Sequence, residues 1–231
     1  STRLILLKQL HTWSLDGAAL FDAPEILERG LKDDENGLRA LTLQIIENSI
    51  TAGMANRAEL LDLLEITLEE SDPNVQSRAV DVIGTAIRTY DGDTQLREIL
   101  VDMMLGERTA RSARQNSVGV YLSNWSEIGV DQTYLEKLST AYDSYVEIRD
   151  DILEGSQILL TDTDSLPEGG YSQLSQYLWD SIDDSELRPT AATAIATAHR
   201  YGSLSGSCGE IEGIERSLAE CKLDLANRIS L

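Results

Sequence analysis

The sequence has few of the residues that carry chemistry or interrupt a fold. Among 231 residues there are 2 cysteines, 2 histidines, 1 phenylalanine and 4 prolines. Cys208 and Cys221 do not make a disulfide framework and neither belongs to a C-x-x-C pair, so reduced thiols are expected. His11 and His199 stand near opposite ends of the chain, which excludes local motifs such as H-E-x-x-H; no metal and no cofactor is expected. No apolar run approaches the roughly 20 residues of a membrane-spanning helix. The opening Leu4-Ile5-Leu6-Leu7 is too short for that, and it lacks the basic segment and cleavage site of a secretory signal. The expectation is a soluble, cytoplasmic protein without a membrane partner. With so few prolines and no break longer than Thr161 to Gly170, residues 1–231 are expected to form a single domain.

Basic residues are scarce as well, and lysine most of all. Forty acidic residues face 19 basic ones, for a net charge of −21, and 15 of those 19 are arginine. Such a field repels phosphate backbones and anionic lipid, so no nucleic acid partner is expected. An acidic, lysine-poor surface fits a high-salt cytoplasm, where screening relaxes self-repulsion. It also fits a face made for a basic partner. The excess is densest between Asp131 and Gly170 but is not segregated along the sequence.

What is present is a repeat. An apolar residue followed in most copies by arginine recurs as Leu38-Arg39, Val75-Gln76, Ala113-Arg114, Ile148-Arg149 and Leu187-Arg188, at steps of 37, 38, 35 and 39 residues. A period of this size marks two-helix units that cannot bury an apolar face alone and stack on their neighbours. The clearest unit starts at Asn56, which with Glu59 makes a capping pair, followed by Leu60, Leu61, Leu63, Leu64, Ile66 and Leu68. Ser71-Asp72-Pro73-Asn74 interrupts it, since proline is tolerated only in a first helical turn. Val75, Ala79, Val80, Ile83, Ala86 and Ile87 then form one stripe of a second helix.

The segment Asp72-Pro73-Asn74-Val75-Gln76-Ser77-Arg78-Ala79-Val80-Asp81-Val82-Ile83-Gly84 resembles the second half of a HEAT repeat; the pattern recurs at Asp184 to Ile195 and more loosely at Asp34 to Ile46. Ser117 and Ile152 make the units between them degenerate. The resemblance implies an all-α, right-handed α-α superhelix, a HEAT-like (armadillo-like) solenoid of about five helix pairs. The pairs are placed at 18–53, 56–91, 94–126, 131–160 and 171–201. Capping helices are expected at Thr2 to Trp13 and at residues 207–229, where Ser207-Cys208-Gly209-Glu210 is a capping box. The family pattern also implies an arginine ladder linking units, with Asp33, Glu70, Asp143 and Asp183 ahead of Arg39, Gln76, Arg149 and Arg188. Gln76, and Arg108 where an acid would stand before Arg114, are expected to weaken that ladder mid-chain.

Second helices of such a stack line its concave face. Projection away from the apolar stripes places Gln44, Asn48, Arg78, Asp81, Thr85, Arg88, Asn116, Ser123, Asp151, Glu154, Thr193, Thr197 and Arg200 there. That lining is mixed and polar, suited to a protein or peptide segment. Arg108, Arg111 and Arg114, near a helix start, are candidates for weak anion binding. Catalysis is not expected. Gly202 to Gly206 puts leucine where a nucleophile elbow needs serine, and Asp162 to Glu168 lacks a calcium loop's glycine. HEAT-like hydroxylases and glycosylases need histidine pairs or a basic groove that this chain does not have. The expected role is a non-enzymatic scaffold or adaptor; the alternative is an acidic inhibitor, such as an immunity protein, covering a basic partner through Asp150, Asp151 and Glu154.

Overall fold

The structure is a computed structural model, and it describes residues 5, 8–12, 24–161, 166–167 and 170–200. The regular elements among these residues are all helices, joined by turns, and none of the described residues is in a strand. Residues 207–229, Trp13, Cys208 and Cys221, and the side chains of His199 and Arg200, lie outside what is described. Of the expected N-terminal capping helix, residues 5 and 8–12 are described and helical. The chain divides after Gly129 into two compact units.

The first unit holds α1 (Pro24–Leu31), α2 (Asn36–Thr51), α3 (Arg57–Ile66), α4 (Pro73–Thr89), α5 (Thr94–Leu105), α6 (Arg111–Ser123) and the short α7 (Trp125–Ile128). Side-chain caps explain several starts. Asn56 Oδ1 accepts the Ala58 N–H at 3.0 Å, and Asp93 Oδ1 accepts those of Gln95 and Leu96. Asp72 Oδ1 accepts from Asn74 and Val75, with Pro73 at the first helical position where it forfeits no bond. The Asn56–Glu59 capping box is only half formed, because Glu59 Oε2 is buried without a hydrogen-bond partner. Gly92 ends the α4 turn at φ +68°, and a Cβ there would sit 1.6 Å from the Glu127 carbonyl oxygen. Only glycine satisfies both conditions.

Within this unit α2 packs along α4 and α4 along α6, while α1, α3 and α5 contact one another in the same order. The stripe Val75, Ala79, Val80, Ile83, Ala86, Ile87 is buried throughout, as are Leu60, Leu61, Leu63 and Leu64. Gly84 lets α6 approach, since a Cβ there would meet Val120 at 2.9 Å. Polar positions, the degenerate Ser117 among them, are absorbed into the core by hydroxyls bonding the carbonyl four residues back: Thr42 to Leu38, Ser49 to Ile45 and Ser117 to Ala113.

The second unit holds α8 (Gln132–Ser144), a 3₁₀ turn (Val146–Ile148), α9 (Arg149–Thr161), α10 (Gly170–Ser181) and α11 (Arg188–Arg200). α9 packs along α11, and α10 contacts both. The Tyr142 and Tyr177 rings lie 4.8 Å apart, Tyr142 sharing a hydrogen bond with Ser181 and Tyr177 donating to Ser139, so two helices are joined by polar contacts made beside an apolar stack.

Candidate binding surface

The arginine column is where the structure corrects the sequence reading most. Arg39 does reach a carboxylate, Nε donating to Glu70 Oε2 at 2.5 Å and Nη2 to Oε1 at 3.0 Å, yet its bond to Asp33 goes to the backbone oxygen at 2.8 Å. The other arginines cap carbonyls of their own inter-helix turns. Arg149 Nε donates to Tyr142 O at 2.8 Å, Arg188 Nε to Ile182 O at 2.8 Å, and Arg114 to Met104 O and Gly106 O. The last carbonyls of a helix lack intrahelical donors, and a guanidinium supplies several. The expected weakness mid-chain is absent for the same reason. Gln76 Nε2 donates to Glu70 O and Arg108 O while its Oε1 accepts the Ala110 N–H at 2.8 Å, so a neutral amide joins the turns that precede α4 and α6.

These links set the charge state of both partners. Burial pushes the Glu70 carboxyl up, but the hydrogen bond from Arg39 and the N–H groups of Asp72 and Ser71 outweigh it and hold it below the usual carboxylate value. The Glu70 hydrogen bond likewise holds the Arg39 guanidinium more firmly protonated, against burial. Both side chains are nearly enclosed, at 13% and 8% exposure. Burial alone raises Tyr90, whose hydroxyl donates to Ala55 O.

Eight of the expected lining residues fall on the α2–α4–α6 face, and hydrogen bonds and one ion pair tie them into one network through Glu47 and Asn124. Arg78 on α4 donates to Gln44 and Glu47 on α2. Glu47 also accepts from Thr85 Oγ1 at 3.2 Å, and Gln44 from its own helix reaches Asn48 Oδ1 at 3.2 Å. Across the other groove, Asn116 Nδ2 on α6 donates to Asp81 Oδ1 at 2.8 Å and to Ser77 O at 3.0 Å. Arg88 Nη1 donates to Asn124 Oδ1 at 3.2 Å. Ser123 is exposed at the end of α6, its hydroxyl turned to Val120 O. Glu47, Ser77 and Asn124 were missed by the sequence reading. Glu47 lies one turn from Gln44, but only the register between α2 and α4 shows that it is the partner of Arg78.

In the second unit Asp151 and Glu154 lie on α9 and Thr193 and Thr197 on α11. Thr193 is exposed, its hydroxyl bonded to Pro189 O at 2.8 Å, and Glu154 is exposed near the start of α9, where Asp150 and Asp151 complement the positive helix end. The proposed anion trio does not hold together. Arg114 is buried at 5% exposure with its guanidinium committed to carbonyls, which leaves only Arg108 and Arg111 at the surface.

Charge in the first unit is segregated by helix, contrary to the reading along the sequence. α1, α3 and α5 carry Glu25, Glu28, Glu59, Asp62, Glu65, Glu98 and Asp102 against three arginines. α2, α4 and α6 carry only Glu47 and Asp81 against Arg39, Arg78, Arg88, Arg111 and Arg114. Two clefts lie elsewhere. One of about 520 Å³ opens beside the Arg39–Glu70 pair, and one of about 350 Å³ lies among Glu25, Glu28, Glu59 and Asp62. No group of three or more histidine, cysteine or acidic side chains among the described residues is placed to hold a metal ion, and no described helix is long and apolar enough to cross a membrane. No protein-family model matches the chain, and no curated protein matches its sequence.

Proposed function

We propose that this protein is a non-enzymatic scaffold of the HEAT-like solenoid class, docking a protein or peptide segment on the face made by its second helices. The packing of α2 along α4 and α4 along α6 supports the solenoid reading, because stacked helix pairs bring like helices together at the repeat period. One observation carries the function. If acidity were only an adaptation to salt, every solvated face would share it, yet the α2–α4–α6 face escapes the excess that the first helices bear. It is also pre-ordered, since Gln44, Arg78, Asp81, Thr85 and Asn116 hold their positions through one another. A docking segment then meets side chains whose entropy has already been spent.

Gly119 provides the test. It is exposed on the Asn116–Ser123 stripe of α6, and a Cβ there has nothing within 4 Å, so a large residue is accommodated without repacking. A photo-crosslinking benzoylphenylalanine at position 119 should give discrete adducts in cells, while the same residue in place of the exposed Glu98 on α5 should give none. Equal labelling at both positions, or at neither, would defeat the proposal.

A further inference from the structure

Two side chains of this face stand out by what holds them. Asp81 and Arg88 lie seven residues apart on α4, two turns along one side of the helix. The Asp81 side chain is 44% exposed; it accepts from Asn116 at 2.8 Å, and its nearest cation, Arg78 Nη1, stands off at 3.6 Å because Arg78 is engaged by Gln44 and Glu47. Arg88 is exposed and pairs with no carboxylate among the described residues, in a chain that carries 40 carboxylates against 19 basic groups. Its donors go to neutral oxygens instead, Nη1 to Asn124 Oδ1 and Nη2 to Thr85 Oγ1 at 3.3 Å. Asn124 is itself buried and anchored on Val120 O at 2.7 Å, so the guanidinium is held while its charge stays uncompensated. Gly84 makes room for this, the Nη1 atom lying 3.7 Å from where a Cβ would be.

Resting on the scaffold reading above, we propose that α4 reads charge on its partner. Asp81 takes a cationic side chain and Arg88 a carboxylate, both from one partner helix. The two Cα atoms are about 10 Å apart along the axis at 1.5 Å per residue. That two-turn spacing is also the spacing of side chains at i and i+7 on a helix laid alongside, so one oppositely charged pair at those positions reaches both groups. A uniformly basic segment would meet the unpaired Arg88, and a uniformly acidic one would meet Asp81 and Glu47; each is disfavoured by a like charge as well as by the loss of a partner.

The probes are three alanine-rich helical peptides that differ only at one i, i+7 pair: lysine with glutamate, lysine with glutamine, and glutamine with glutamate. Each is titrated into the ¹⁵N-labelled full chain at a salt concentration where circular dichroism shows it folded, following the Arg88 Nε–H and Asn116 side-chain amide signals. The lysine–glutamate peptide should give saturable shifts at both and bind about two- to fivefold tighter than either singly charged peptide, the scale of exposed charge pairs. Asp81→Asn should erase the preference for lysine and Arg88→Gln the preference for glutamate, with unchanged circular dichroism. Three equal affinities, or preferences that survive both substitutions, overturn the charge reading. Shifts confined to other parts of the α2–α4–α6 face overturn it too while leaving docking on that face intact, and the position-119 crosslink judges the scaffold reading separately.

Discussion

The bond between Arg39 and Glu70 allows a quantitative test of how α2 is joined to the turn before α4. Glu70→Gln removes the charge but leaves an amide oxygen, and Arg39 keeps the Asp33 carbonyl and Asn36 Oδ1 as acceptors, so the loss should be about 1–2 kcal/mol. Arg39→Met is harsher. It leaves a carboxylate that is only 8% exposed with the Ser71 and Asp72 N–H groups alone, and should cost about 2–3 kcal/mol, under the range for a fully buried orphaned charge. The double variant removes both charges, so it should be less damaged than the sum of the two by about 1–2 kcal/mol. Urea unfolding at fixed salt is the assay, because guanidinium chloride would itself screen the pair. The pH dependence gives a second reading of the same bond. Glu70 titrates lower in the folded chain than its ordinary 4.5, so its contribution is complete above that value and is lost as pH falls below it, and Glu70→Gln should flatten that part of the acid limb. A coupling within about 0.3 kcal/mol of zero, with an unchanged acid limb, would refute the account.

Three further outcomes are expected. Gly92→Ala places a Cβ against the Glu127 carbonyl at a positive φ and should lower stability by at least about 2 kcal/mol, seen as a fall in Tm; a neutral result would mean that the α4–α7 approach is not as described. Gln76→Ala leaves two turn carbonyls and the Ala110 N–H without their partner and should cost about 2–3 kcal/mol, whereas a surface glutamine would cost under about 0.5. Raising potassium chloride from 0.1 to 1 M shortens the screening length from about 10 to about 3 Å and should raise Tm through relief of self-repulsion at net charge −21. A flat or falling Tm would mean that the excess carboxylates do not oppose folding.

Local structure was legible where one residue has one job. The Asp72-Pro73 start of α4 and its six-residue apolar stripe depend only on helical geometry and on the refusal of proline to sit inside a helix, and each residue lies where that logic puts it. Acceptors were less legible than donors. The recurrence of arginine marks the right positions, but the choice between a turn carboxylate and a turn carbonyl depends on how the backbone bends between helices, and spacing along the sequence does not encode that bend. Glu59 fails as a capping partner on the same ground, since its carboxylate takes a buried position rather than returning to the helix start.

Charge hid its pattern from the sequence because the two kinds of helix alternate every 15 to 20 residues or so, close to the length of one helix and its turn. Averaging over any longer window mixes an acidic first helix with an arginine-bearing second one and returns the mean. Sorting the same residues by helix row separates them at once: seven carboxylates stand on α1, α3 and α5 and two on α2, α4 and α6. Those two, Glu47 and Asp81, are the residues through which Arg78 and Asn116 bind neighbouring helices together. Negative charge on this face is therefore retained where it links neighbouring helices, and the other polar positions of the network are amides, hydroxyls and arginines. A surface selected only for hydration in salt has no reason to spare one row of helices, and that asymmetry is what the docking proposal has to explain.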